Sequence, residues 1–149
     1  MIHFLMNAIL PAGIPRGKAV QQSEFNDRLF NDRLDAVRNK FASSLGNKIE
    51  GFCAELPQLS GVGSGAVDAV VSVYRGVHAI CGIAGSVGFP ETGREAKKVE
   101  DTLLDAYRGQ RALADAELMR LNEALGALAA VAQKELGRTS AATPSVNAG

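Results

Sequence analysis

Two of the 149 residues are histidines, His3 and His78. Only His78 stands where an imidazole could do chemistry. It opens the run His78-Ala-Ile-Cys-Gly-Ile-Ala-Gly-Ser-Val-Gly-Phe89, in which Gly82, Gly85 and Gly88 break up a segment whose flanks read as helix. A metal centre fails for want of ligands: Cys81 supplies at most a second one, and Cys53 stands far off in sequence. A Ser/His/Asp triad needs a nucleophile on a strained turn in a cleft, and no segment has that context. Nucleophilic attack by the imidazole itself asks for less. It requires the correct tautomer, a carboxylate holding one ring N–H, and an open approach to the other nitrogen.

The neighbours of His78 fit the last requirement. Glycine inside a helix costs about 1 kcal/mol relative to alanine, so Gly82, one turn on, needs a reason. A larger side chain there would shade the imidazole. Ala79, Ala84 and Gly85 are also small. Val71, Arg75 and Gly82 share the side of the helix that carries His78, whereas Val67, Val70, Tyr74, Val77 and Cys81 form the stripe expected to face inward. His78 is therefore expected at least partly exposed, and Cys81 is expected in the core.

The elements that must hold this histidine are helical. Phe30, Leu34, Val37, Phe41, Leu45, Ile49, Phe52 and Leu56 recur by threes and fours after a start at Ser23. They form one long helix, or two helices meeting at Ser43-Ser44, where a serine can cap a new start. Pro57 and Ser60-Gly-Val-Gly-Ser-Gly65 end it. Pro90 suits the first turn of a helix to Tyr107 with Ala96, Val99, Leu103 and Ala106 inward, closed by Gly109. Asp115 can cap a last helix bearing Leu118, Leu121, Leu125, Leu128, Ala132 and Leu136. No strand pattern survives. The expected fold is all-α, an antiparallel four-helix bundle over 23–137, with an N-terminal extension (1–22) and a disordered tail (138–149).

Composition narrows the function. Lys+Arg and Asp+Glu number 16 each, which argues against a nucleic-acid or anionic-membrane binder. Two separated cysteines read as reduced thiols of a cytoplasmic protein. The opening MIHFLMNAIL is too short to span a bilayer and lacks the basic start of an export signal. Gly61-Val-Gly-Ser-Gly65 lacks the Lys and Ser/Thr of a phosphate-binding loop, so a kinase is not expected.

The pattern His78-x-x-x-Gly82-x-Ala84-Gly85-x-x-Gly88-Phe89, followed by Glu100-Asp-Thr-Leu-Leu-Asp-Ala-Tyr-Arg-Gly109 on a second helix, resembles histidine phosphotransfer (HPt) domains. It is most similar to the phospho-accepting domain of chemotaxis-type histidine kinases. The similarity is firm over about Val67 to Gly109 and looser in the flanking helices. It implies a phosphocarrier rather than an enzyme, passing a phosphoryl group on His78 between a histidine kinase or a response-regulator receiver aspartate and another receiver. Gly82 would give clearance, and Glu100 would orient His78. No cofactor is expected on this chain, and Mg²⁺ is expected on the receiver. The chain departs from the family at Cys81, where many members carry a lysine near the phosphoryl oxygens. Lys97, one turn before Glu100, and Arg75, one turn before His78, are the cations that could take over that contact. Val71, Ile83 and Val87 would form the docking surface of a monomer with no nucleic-acid or membrane partner. The alternative is a helical docking module that binds receiver or kinase domains without transfer.

Overall fold

The computed structural model describes residues 16–142, and those residues are helical with no strand among them. Four long helices follow one another: α1 (Arg16–Leu59), α2 (Ser64–Ala84), α3 (Pro90–Gly109) and α4 (Asp115–Ala142), with a short 3₁₀ turn at Gly85–Val87 between α2 and α3. The chain divides into two compact units, 1–37 and 38–149. In the first, 16–37 is helical, and Phe25, Leu29, Phe30 and Val37 are exposed. The expectations placed on His3 and MIHFLMNAIL lie outside the described residues.

Several expected boundaries move. Helix α1 begins at Arg16 rather than Ser23, so Gly17 lies inside it. Ser43 and Ser44 cap nothing: their hydroxyls donate back to the carbonyls of Lys40 (3.0 Å) and Phe41 (3.2 Å), a bonding mode that a continuous helix accommodates. Pro57 does not end α1 either. It occupies the last turn, where its missing N–H leaves only the carbonyl of exposed Cys53 without its ladder donor. The last helix passes Leu136 and reaches Ala142, so 138–142 is helical rather than part of a disordered tail.

In the second unit the four helices pack on one core. Phe41, Leu45 and Ile49 of α1 meet Val70, Val73, Val77 and Ile80 of α2, Ala96, Val99 and Leu103 of α3, and Leu121, Leu125 and Leu128 of α4. This α2 face differs from the expected one. Val73 and Ile80 are buried, while Val67, Tyr74 and Cys81 sit half-buried at its edge. Gly76 explains how closely α1 approaches, because a Cβ there would come within 2.6 Å of the Phe52 ring. By length and hydropathy Ser64–Val87 would also suffice to cross a bilayer. In this fold its apolar side packs on the other three helices.

The link from α2 to α3 is built from its own residues. Gly88 takes a left-handed conformation (φ 94°) that a side chain would strain, and the Phe89 N–H then donates to the Ala84 carbonyl at 2.8 Å. Phe89 is fully buried, with its ring 5.2 Å from that of Phe41. Arg38 of α1 ties the turn down by donating from Nε to the Val87 carbonyl at 2.9 Å. Val87 is thus buried beneath the turn and forms no part of a docking surface.

Two buried carboxylates finish the helix starts. Glu135 of α4 accepts the N–H groups of Glu91 (3.2 Å) and Thr92, satisfying orphan donors at the start of α3. At the start of α4 the capping residue is Ala114, not Asp115. Glu117 reaches back to the Ala114 N–H at 2.9 Å and takes both arms of Arg111 at 2.7 and 3.0 Å. At the end of α3 the left-handed residue is Gln110 (φ 49°), one beyond the expected Gly109.

The Arg111 guanidinium holds the Glu117 carboxyl down at about 2, aided by the Ala114 N–H and opposed by burial. A depressed carboxyl contributes stability that is full above its unfolded value and disappears as pH falls through the folded one. Wild type is therefore expected to lose more urea stability than Glu117→Gln between pH 5 and pH 2. Equal losses in parallel titrations would remove Glu117 as a source of acid sensitivity.

Candidate functional site

His78 projects from α2 about four turns after its start, on the side away from the core, and its side chain is 66% exposed. Glu100 comes from the middle of α3, one position past Val99, and is buried. The chain reversal at Gly85–Phe89 lays α3 against α2 and brings these two residues together across 22 positions of sequence. His78 Nδ1 lies 3.1 Å from Glu100 Oε2.

Protonation follows from the donors around the carboxylate. Burial alone would raise the Glu100 carboxyl, but hydrogen bonds from His78, Cys81 and Lys97 outweigh it and hold the group below its ordinary value. An ionised carboxylate only accepts, so Nδ1 carries the proton and donates. In the neutral ring the lone pair then sits on Nε2. This is the tautomer and orientation that attack by the imidazole requires.

Lys97 Nζ lies 3.4 Å from Glu100 Oε1 and 3.3 Å from Asp101 Oδ1. It belongs to the same cluster as His78, and both of its contacts are carboxylates. Cys81 is not in the core stripe. Burial and the nearby Glu100 carboxylate push its thiol pKa up to about 12. Such a thiol stays protonated and unreactive near neutral pH. It adds no positive charge.

Gly82, one turn beyond His78, is exposed. A Cβ built there has nothing within 4 Å, so no packing inside the chain demands glycine. The same holds at Gly85. Of the residues expected to dock a partner, Val71 and Ile83 are partly exposed.

Arg75 is exposed and has no hydrogen bond or ion pair among the described residues. It lines an open groove with Asp68, Tyr107, Arg108 and Gln110. The aromatic support of the histidine was missed in the sequence. Tyr74, one turn before His78, stacks on its ring (6.0 Å between centroids, 9° between planes). Tyr74 in turn stacks on Tyr107 of α3 at 3.8 Å. Spacing of i, i+4 was the available signal for Tyr74, and its assignment to the core stripe hid it.

Glu100→Gln tests the dyad. The amide can offer the ring either an acceptor or a donor, so the Nδ1–H tautomer loses its preference. Reaction at Nε2 is expected to fall roughly tenfold, the lower end of what loss of an orienting partner does to an imidazole ligand. Nitrogen-15 NMR of the His78 ring should show the tautomer change, and an unaltered spectrum would remove Glu100 from the mechanism.

No protein-family model matches the chain, and neither does any curated protein or solved structure. Among the described residues no three His, Cys, Asp or Glu side chains come together where they could share a metal ion.

Proposed function

We propose that the chain is a histidine phosphotransfer protein of a cytoplasmic phosphorelay, an antiparallel HPt-type bundle that carries a phosphoryl group on His78. One observation carries this reading. A solvent-facing imidazole has its Nδ1 held by a buried carboxylate, and no side chain stands over the next helical turn at Gly82.

The step balances without a cofactor on this chain. Nε2 of neutral His78 attacks the phosphorus of an aspartyl phosphate on a receiver domain, whose Mg²⁺ stabilises the charge on the transferring group. The N–P bond forms as the acyl O–P bond breaks. The partner's aspartate leaves as carboxylate, and the imidazole becomes a phosphoimidazolium whose remaining proton stays on Nδ1. Glu100, already ionised and within 3.1 Å, then faces a positive ring instead of a neutral one, and this contact strengthens as charge develops. The reverse step delivers the group to a second receiver, and a histidine kinase would load the same nitrogen from ATP.

Lys97 is the cation that shares Glu100 with His78. Its two carboxylate contacts leave it positioned by Glu100 and Asp101, on the exposed side of α3. The Cys81 thiol supplies neither charge nor nucleophile, which is the observation favouring the rival, a docking module without transfer.

Incubation with a receiver domain carrying labelled phosphate separates the two. Acid-labile, base-stable label appearing on the chain is expected. Binding of phosphorylated receivers with no label passed on would overturn transfer and leave the docking module.

A further inference from the structure

We infer that the groove between the first half of α2 and the end of α3 receives carboxylates of the protein that exchanges phosphate with His78. This inference rests on the phosphotransfer reading and adds to it where the partner is gripped.

The groove encloses about 420 Å³ and is lined by Val67, Asp68, Val71, Arg75, Tyr107, Arg108 and Gln110. Its cations differ from Lys97 in one respect. Lys97 is already engaged by Glu100 and Asp101, whereas neither Arg75 nor Arg108 has an ion pair or a side-chain hydrogen bond among the described residues. Two guanidiniums thus face one depression, with Asp68 as the single carboxylate in its lining. The lining carries a net positive charge on a chain that is neutral overall.

Position ties this charge to the reaction centre. Arg75 is three residues before His78, nearly one turn along α2. Tyr107, which lines the groove, stacks on Tyr74, and Tyr74 stacks on His78. A partner whose phosphoaspartate reaches His78 therefore extends over this groove when its surface continues one turn toward the start of α2.

The partner's chemistry supplies the complement. A domain that holds Mg²⁺ beside an aspartyl phosphate uses carboxylates to do so, and its reactive face is acidic. Arginine matches carboxylates with paired N–H donors, which orients as well as attracts. Charges at the edge of an interface act mainly on encounter and on KM, not on the chemical step.

The experiment uses the full chain, a receiver domain that exchanges phosphate with it, and phosphoramidate as a small donor without a protein surface. Arg108→Glu is expected to raise KM for the phosphorylated receiver roughly tenfold with kcat little changed. Loading of His78 by phosphoramidate should stay at the wild-type rate. Arg108→Lys should recover most of the loss, and Arg75→Glu added to Arg108→Glu should raise KM further. Raised salt should weaken the wild type more than Arg108→Glu. Unchanged KM in Arg108→Glu overturns the inference and leaves phosphotransfer standing. Slower phosphoramidate loading also overturns it, because Arg108 would then act on His78 itself. A wild-type chain that takes phosphate from neither donor removes the phosphotransfer reading, and this inference falls with it.

Discussion

His78→Gln is expected to abolish acid-labile phosphorylation completely, from a receiver and from a small phosphodonor alike, while the helical fold persists. Glutamine keeps a polar side chain of similar reach but has no basic nitrogen, so no N–P bond can form at this position. The other histidine, His3, belongs to the segment outside the described residues, and the variant leaves it intact. Label persisting on His78→Gln would therefore move the phosphorylated residue elsewhere and overturn the assignment. Loss of the fold is not expected to confuse the result. The side chain is 66% exposed, and substitutions at such surface positions usually change stability by less than about 0.5 kcal/mol. Glu100 loses one donor but keeps Lys97. Far-UV circular dichroism and the melting temperature should stay close to wild type.

Gly82→Leu should separate access from reactivity. Nothing lies within 4 Å of a Cβ at this position, so the leucine has room, and the backbone is helical. Exchanging glycine for leucine in a helix interior is stabilising by roughly 0.8 kcal/mol, and the melting temperature should rise or hold. The new side chain stands one turn from the imidazole on the same side of α2. A receiver that must bring its aspartate within bonding distance of Nε2 meets it directly, and transfer from the receiver is expected to fall at least about tenfold, the effect of misplacing reacting groups by an ångström or so. Phosphoramidate is small enough to pass, so its loading of His78 should survive. Full transfer from the receiver to Gly82→Leu would mean that the partner does not approach over this turn. Loss of both donors would assign the effect to the ring, not to docking.

These variants, together with Glu100→Gln, probe different layers of one site. In the proposed relay His78 would supply the nucleophile, Glu100 would set which nitrogen holds the lone pair, and Gly82 would leave the approach open. A structural histidine in a surface ion pair would respond to none of them in phosphate transfer. The Cys81 position gives the arrangement its particular character. Its thiol stays protonated beside buried Glu100, where a lysine would bring a cation.

Much of this was legible in the order of residues. Apolar side chains at three- and four-residue spacing set the four helices, because each must bury a stripe, and Leu121, Leu125, Leu128, Ala96, Val99 and Leu103 are buried as their periods require. Glycine in a helix beside a histidine was a visible signal because it costs stability locally and Gly82 turns out to have no packing partner. Local chemistry misled where a longer-range contact overrode it. Ser43 and Ser44 could cap a helix, but Phe41, Leu45 and Ile49 bury into the common core on both sides of them and the helix runs through. Val73 and Ile80, not Tyr74 and Cys81, took the core face of α2, since the direction of a helix's buried face depends on where its neighbours stand.

Tertiary structure alone decided the electrostatics. The resemblance paired Glu100 with His78 across 22 positions, but no spacing rule gives the 3.1 Å distance or brings Lys97 onto the same carboxylate. A hydrogen bond depends on tenths of an ångström, and those come from the left-handed Gly88, the buried Phe89 and the Arg38 bond that set how α3 returns along α2. The sequence by itself determined that an accessible imidazole would stand on a helix with room beside it. The packing of α3 on α2 determined which of its nitrogens meets a buried carboxylate.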